Sequence, residues 1–198
     1  MRSFPLVEKG PLLWIWMGEA AKADPALIFK VEHWDDPRWG RTDPESMTVD
    51  CNYLYVTDNL LDPSHVAWVH ASSFGNAACE ETPLKTELRD DGVVVSRWML
   101  DTEVAPFYQQ FVDFTGNTDR QQHYEVRFPS NAIIKAVFTP AGTGGSVLPA
   151  PGFAAVCVLA WPCAAMGWRA GHKLKFSTNA KAKMIRFMIV LPSVPALA

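Results

Sequence analysis

Hydrophobic and aromatic residues fall into short runs separated by polar turns, a pattern that predicts a chain built largely of β-strands. The run 11–17, Pro-Leu-Leu-Trp-Ile-Trp-Met, is closed by Gly18 and predicts a buried strand. Asp-Pro sequences at 24–25 and 36–37 predict turns, because proline fixes φ and aspartate bonds to nearby backbone. Further strands are predicted at 52–57, 92–100, 122–128 and 131–138, the last two as a hairpin.

One helix is predicted between the second and third of these strands, over about 60–72. Asp58 or Asn59 would cap its amino end, since both side chains accept hydrogen bonds from the first backbone amides. Pro63 is tolerated in a first helical turn and leaves the exact start of the helix open.

The predicted helix carries the only close pair among the chain's five histidines. Asp62 and His65 are about 60° apart on a regular helix and share a face, whereas His65 and His70 are about 140° apart. The two imidazoles would converge only across a break or a π-bulge in the helix. Two histidines with one carboxylate suit ferrous iron that activates oxygen. The alternative is an ordinary helix with one surface and one core histidine, and His33 and His123 are interpreted as ordinary packing or surface residues.

Charge divides the chain into two parts. All 21 acidic residues lie between Glu8 and Glu125, and residues 146–198 carry six basic residues and no acid. Residues 146–168 contain no charge at all. Three interpretations stay open for that segment: a transmembrane span with a positive flank, a buried strand-and-turn segment, or a tail produced by a changed reading frame.

Composition excludes several classes of protein. A net charge of −3 and the lack of an arginine-rich motif argue against nucleic-acid binding. The first residues contain an early acid and no apolar signal core, and the four cysteines form no Cys-x-x-Cys pair. We therefore expect a cytoplasmic protein with reduced thiols, no membrane association and no nucleic-acid partner.

The motif Asn59-x2-Asp62-x2-His65-x4-His70 resembles the iron-ligand motif of Rieske non-haem iron oxygenases, in their catalytic α-subunits. The flanking residues 2–18, 23–28 and 69–73 are similar to vanillate O-demethylase oxygenase subunits and related aryl-ether demethylases. The likeness extends over about residues 2–145.

The resemblance implies specific roles for these residues. His65 and His70 would be two of three ligands of a mononuclear Fe(II), and Asp62 would be the carboxylate that links an iron-bound histidine to the 2Fe-2S cluster of a neighbouring subunit. Asn59 would be a polar residue beside the iron. A carboxylate that accepts the second N–H of His65 would also fix the tautomer of that histidine.

The resemblance also implies a fold and partners. The fold class would be α+β: a helix-grip domain in which an antiparallel sheet wraps around a long helix, incomplete at the carboxyl end. Residues 1–20 would be the last strands of a Rieske domain, 21–145 a partial iron-binding catalytic domain and 146–198 an atypical tail. Implied partners are an aromatic substrate such as vanillate, O2, a ferredoxin or flavin reductase, and two further copies in a trimer.

Two departures from the family pattern predict an impaired enzyme. No Cys-x-His or Cys-x2-His pair is present to hold the cluster, and no acid follows Glu125 to act as the third, carboxylate ligand. Alternative hypotheses are a non-catalytic module that binds apolar aromatic ligands, and a disrupted gene product. One of four acids, Asp101, Glu103, Asp113 or Asp119, could be recruited as the third ligand only if the fold differed from that of the family.

Overall fold

Antiparallel strands form one large sheet, and three short helices lie against one of its faces. The computed structural model describes residues 3–10, 12–28, 34–37, 39–41, 45–47, 49–112, 115–128, 131–144, 154–163 and 184–192. The α+β class and the antiparallel sheet predicted for a helix-grip domain are confirmed. Within the described ranges the longest helix has nine residues. His33, Asp113 and the turn at 129–130 lie outside the described residues.

Ten strands are described, and all of their pairings are antiparallel. The first two pair only with each other. The other eight form the sheet in the order β3-β10-β9-β8-β7-β6-β5, with β4 also paired to β10. The strands are β1 (Leu6–Lys9), β2 (Leu12–Ile15), β3 (Trp39–Arg41), β4 (Glu45–Met47), β5 (Lys85–Arg89), β6 (Gly92–Thr102), β7 (Thr118–Arg127), β8 (Asn131–Pro140), β9 (Ala154–Cys163) and β10 (Met184–Pro192).

The strand predicted at 11–17 is present as β2, but the prediction that it is buried was wrong. Leu13 and Ile15 are more than half exposed, whereas Trp14 and Trp16 on the other side are partly buried. The indole N–H of Trp14 donates to the carbonyl of Lys9 at 3.1 Å, which ties the hairpin together. A two-stranded ribbon buries at most one of its faces, so an apolar run is not evidence of burial on both.

The strand predicted at 52–57 is wrong, because Tyr53–Leu61 forms helix α1. Its cap is Asn52, whose side chain accepts the backbone N–H of Leu54 at 3.0 Å, so neither Asp58 nor Asn59 caps it. The aromatic and branched residues looked like a strand, yet the partly buried Val56, Leu60 and Leu61 follow helical spacing. They pack against Val126 and Ala132 of the sheet.

The helices cover the sheet face that contains the even-numbered residues of β7 and β8. Helix α2 (Val66–Val69) and helix α3 (Ala78–Glu81) pack on Met99, and a 3-10 helix, Pro106–Gln110, packs on Phe138. The predicted strands at 92–100, 122–128 and 131–138 are confirmed as β6, β7 and β8, with Arg127 opposite Asn131 in the hairpin.

The described part of the uncharged segment 146–168 is strand β9, which pairs with β8 on one side and β10 on the other. This backbone matches the strand-and-turn alternative. No helix in the described ranges is both long and apolar enough to cross a membrane. The predicted domain boundaries, the changed reading frame and the cytoplasmic location stay predictions.

A cluster of charges lies on the opposite face of the sheet, around the buried carboxylate of Glu125. Its oxygens accept hydrogen bonds from His123 at 3.3 Å and from Arg127 at 2.5 Å, and Arg89 of β5 is 3.7 Å away. The hydrogen bond from His123, together with Arg127, outweighs the effect of burial and lowers the pKa of Glu125 to about 2.

We predict that Glu125 makes the fold sensitive to acid. A carboxylate whose pKa is lowered by folding stabilises the protein fully above its ordinary pKa of 4.5, and that contribution disappears as the pH falls towards 2. In urea denaturation, Glu125→Gln should lower the free energy of unfolding by about 1–3 kcal/mol at pH 7 and flatten its decline below pH 4.5. Glu80→Gln, at an exposed position of α3, is the control. If the free energy of unfolding falls equally below pH 4.5 in Glu125→Gln and in the unsubstituted chain, the prediction is contradicted.

Candidate iron-binding site

The helix predicted over 60–72 is interrupted, and the interruption forms the candidate site. Helix α1 ends at Leu61 and α2 begins at Val66. Asp62 between them has an extended backbone, with φ −99° and ψ 93°. This conformation follows from the sequence, because a residue before proline is disfavoured in the helical region. The ring of Pro63 is fully buried, which anchors the break against the sheet.

The break brings the two imidazoles of the motif together. His65 and His70 flank the single turn of α2, and their ring centroids are 5.2 Å apart with an angle of 65° between the planes. On a continuous helix they would point in different directions. Two imidazoles that bind one metal through bonds of about 2.1 Å have centroids roughly 5 Å apart, so the pair fits a shared ion.

Asp62 lies beside His65, on the side of its Nδ1 atom. The carboxylate Oδ2 is 3.8 Å from Nδ1, which is an ion-pair distance and longer than a hydrogen bond. The other oxygen accepts hydrogen bonds from the backbone N–H and the hydroxyl of Ser64. Burial would raise the pKa of Asp62, but the bonds from Ser64 and the neighbouring His65 outweigh it, so the pKa lies below its ordinary value.

The Nδ1 atom of His65 is buried and has no hydrogen-bond partner within the described ranges. A short movement of Asp62 would satisfy this nitrogen and leave Nε2 of the same ring for a metal. A carboxylate held behind a ligating histidine is the usual arrangement at metal sites in proteins. The donor set at the break therefore fits two ligands of a ferrous ion.

Among the described residues, Asn59 contacts the site through its backbone and not through a side-chain hydrogen bond. It lies in the last turn of α1, where its backbone carbonyl accepts the N–H of Asp62 at 3.4 Å. Its side chain is exposed, and no hydrogen bond found in the described ranges joins it to His65 or His70. Its role beside the metal stays a prediction.

A third protein ligand is not found within the described part of the chain, where no three His, Cys, Asp or Glu side chains converge. Asp119 is buried, and its carboxylate accepts the backbone N–H groups of Asp101 and Gly144. The side chain of Asp101 accepts a bond from Asn117. Glu103 lines an open depression of about 410 Å³ to which neither histidine contributes.

Arg97 holds the break in place, although sequence reasoning did not single it out. Its Nη2 donates to the carbonyl of Pro63 and its Nη1 to that of Thr82, each at 3.1 Å. Its Nε donates to the side-chain oxygen of Gln122 at 2.7 Å. One guanidinium therefore joins the helix break, the end of α3 and the sheet. The sequence of the strand does not show which face of the sheet contains Arg97. It therefore gives no signal that Arg97 anchors the helix break.

Gly75 is a second position that the sequence did not reveal. A Cβ atom there would lie 2.3 Å from the carbonyl oxygen of Val66 and 3.2 Å from that of His70. The backbone N–H of Gly75 donates to the His70 carbonyl at 2.9 Å. Only glycine lets the chain return this close to α2, so Gly75 helps to fix the position of His70.

An aromatic cluster continues the site away from the metal position. The ring of Phe74 lies 5.5 Å from that of His70 and 4.6 Å from that of Phe107. Tyr108 then contacts both Phe107 and Phe138. This cluster of mutually packed rings, called the aromatic wall below, lies directly beside the His70 ring.

We predict that Arg97→Met damages the histidine pair and the fold together. The substitution leaves the buried acceptors on Pro63, Thr82 and Gln122 without a donor, so the free energy of unfolding should fall by roughly 2–4 kcal/mol. Fe(II) titration of the folded fraction should show weaker binding, because the break is no longer anchored. Lys85→Met, at an exposed position of β5, is the control. Unchanged Fe(II) affinity in folded Arg97→Met would contradict this role.

Subunits named as parts of oxygenases are similar to this chain. An oxygenase subunit of vanillate O-demethylase from a Pseudomonas species is 34% identical over 155 residues, which are 76% of this chain and 47% of that protein. A putative toluene-4-sulfonate monooxygenase system iron-sulfur subunit from Comamonas testosteroni is 36% identical over 148 residues, or 73% of this chain and 42% of that protein. The chain thus spans less than half the length of these relatives.

Solved structures with the same fold include dicamba monooxygenase bound to dicamba, with a TM-score of 0.71 at 20% identity. The match covers 96% of this chain and 49% of that one. The family model for the vanillate O-demethylase oxygenase C-terminal domain matches residues 49–160, more than half of the chain, including the helix break and strands β5 to β8. The chain therefore belongs to the vanillate O-demethylase oxygenase C-terminal domain family, among the catalytic α-subunits of Rieske-type oxygenases.

Proposed function

We propose that this chain is the iron-binding catalytic part of a Rieske-type oxygenase that O-demethylates methoxybenzoates such as vanillate. The observation that carries the proposal is the convergence of His65 and His70 across the helix break, with Asp62 at the second nitrogen of His65. Membership of the family and the names of the relatives support the reaction class.

In this proposal His65 and His70 hold a mononuclear Fe(II) and Asn59 is a polar neighbour of the ion. Bound ferrous iron supplies oxygen activation, through which O2, two electrons and two protons convert an aryl methyl ether to a phenol, formaldehyde and water. The aromatic wall beyond His70 positions the substrate ring.

Asp62 has the role of a bridge. A short movement that closes the 3.8 Å gap would let its carboxylate accept the N–H at Nδ1 and so fix the tautomer of His65; about half of the Asp62 side chain is exposed. An exposed carboxylate is accessible to a neighbouring subunit, which would provide the 2Fe-2S cluster in a trimer. A ferredoxin or flavin reductase would deliver electrons to that cluster.

The same residues predict that the chain on its own is impaired. The 198 residues contain no Cys-x-His or Cys-x2-His pair, so electrons would come from a cluster held outside them. Two imidazoles without an anionic oxygen ligand bind Fe(II) weakly and discriminate poorly among divalent metals. We propose that residues 1–20 end a Rieske domain, that 21–145 form the catalytic part, and that 146–198 depart from the family pattern.

Fe(II) titration of the full chain under anaerobic conditions tests the site. We expect one ion per chain, and affinity at least about tenfold lower in His65→Ala and in His70→Ala because each removes a ligand. His123→Ala is the matched control, since its side chain lies on the opposite face of the sheet, beside Glu125.

Unchanged Fe(II) binding in both ligand variants would contradict the assignment. The alternative function, a module that binds aromatic ligands without a metal, makes a different prediction. It would be favoured if the chain bound no Fe(II) and bound vanillate equally with and without the ion.

A further inference from the structure

A second buried guanidinium lies in the layer between the sheet and the helices. Arg120, the third residue of β7 and on its inner face, is fully buried, with Met99 and Phe138 as its register partners on the neighbouring strands. No carboxylate within the described ranges forms an ion pair with it. A buried cation without a counter-ion is costly and requires an explanation.

The hydrogen bonds of Arg120 leave one edge of the guanidinium without an acceptor among the described residues; we call it the open edge, although it is buried and the Tyr108 ring lies close by. Its Nη1 donates to the carbonyl of Phe74 at 2.9 Å and lies 3.8 Å from the sulfur of Cys79. Its Nε and Nη2 are buried and have no hydrogen-bond partner in the described part of the chain. These two nitrogens form a single edge with parallel N–H groups, the edge that a carboxylate binds with both oxygens.

Arg97 shows how the same fold treats a guanidinium with a purely structural role. It lies on the neighbouring strand and on the same face of the sheet, and each of its three nitrogens donates to a protein oxygen. Buried donors without an acceptor are costly, so the open edge of Arg120 lowers the stability of the fold. Binding of an anion would recover that cost.

Aromatic side chains lie next to the guanidinium of Arg120. The guanidinium carbon lies 4.6 Å from the centre of the Tyr108 ring and 5.5 Å from that of Phe138. The residue whose carbonyl it contacts, Phe74, also has its ring against that of His70. Arg120 and the histidine pair are therefore connected through Phe74, whose carbonyl contacts Arg120 and whose ring contacts His70.

We propose that Arg120 is the carboxylate-recognition residue of this chain. Its Nε–Nη2 edge binds both oxygens of an aromatic carboxylate, and the ring of that ligand packs on the aromatic wall between Arg120 and His70. This inference rests on the proposed function for the reaction at the other end of the ligand. It assigns specificity for the acid to one residue that the ligand motif does not contain.

Iron-free chain provides the first test, because recognition of the carboxylate does not require the metal. Calorimetric titration compares vanillate with vanillyl alcohol, which replaces the carboxylate by a neutral CH2OH group. A bidentate, charge-assisted pair predicts about 10- to 100-fold tighter binding of vanillate. Equal affinities for the two compounds in the unsubstituted chain would overturn the proposal without any variant.

Variants then assign the effect to Arg120. Arg120→Met should abolish the preference for vanillate and leave binding of the alcohol within about threefold. Arg120→Lys keeps the charge but has no planar edge, and it should retain only part of the preference. Arg127→Met is the matched control, because it removes an arginine of the same strand from the opposite face. If Arg120→Met does not fold, the affinity ratio of vanillate to vanillyl alcohol in Arg120→Lys is the deciding measurement. A ratio as large as that of the unsubstituted chain in either folded variant would overturn the assignment.

The two proposals fail in different ways. If His65→Ala and His70→Ala lose Fe(II) binding but still bind vanillate more tightly than vanillyl alcohol, the iron assignment and the carboxylate assignment are both supported. If those variants bind Fe(II) normally while Arg120→Met loses the preference, the metal assignment fails and the carboxylate site survives. If the preference is absent throughout and Fe(II) binding is lost as expected, only the inference about Arg120 is overturned.

Discussion

The candidate site depends on one buried guanidinium more than on any other group. Arg97 donates to the carbonyl of Pro63 in the helix break, to that of Thr82 at the end of α3, and to Gln122 on the adjacent strand. Burial disfavours the charged form and lowers the pKa of Arg97, yet a guanidinium remains protonated in proteins. The irregular segment between α1 and α2 is consequently tied to strands β6 and β7 of the sheet.

The inner face of the sheet combines two kinds of polar residue. Arg97 donates hydrogen bonds to Gln122 and to two backbone carbonyls, so this pair has a structural role. Arg120 is equally buried but keeps two donors without partners beside an aromatic wall. Strands that only covered a core would contain aliphatic residues at these positions. The inner face therefore combines a satisfied polar residue with one that keeps two buried donors unpartnered among the described residues.

Sequence reasoning predicted the family and a break in the helix that carries the two histidines, but it missed the contacts that hold the break in place. The spacing of Asp62, His65 and His70 was sufficient to infer that the histidines converge only across an interrupted helix, and the structure contains that interruption. The same reasoning assigned 52–57 to a strand, because Tyr53 and Val56 favour strands locally while their helical spacing is visible only together with Leu60. Arg97, Arg120 and Gly75 were missed since their roles depend on contacts between residues far apart in sequence.

The way in which the helix break is held has a consequence for the order of assembly. Pro63 is buried, Ser64 is bonded to Asp62, and Gly75 closes on Val66, so every contact that shapes the break joins protein to protein. The free energy of binding an ion is then available for affinity and is not consumed in ordering the ligands. A metal would add to stability only by mass action, in proportion to the logarithm of its concentration. The polypeptide would thus fold first and bind its metal afterwards. Metal binding would then be a late and reversible step of assembly.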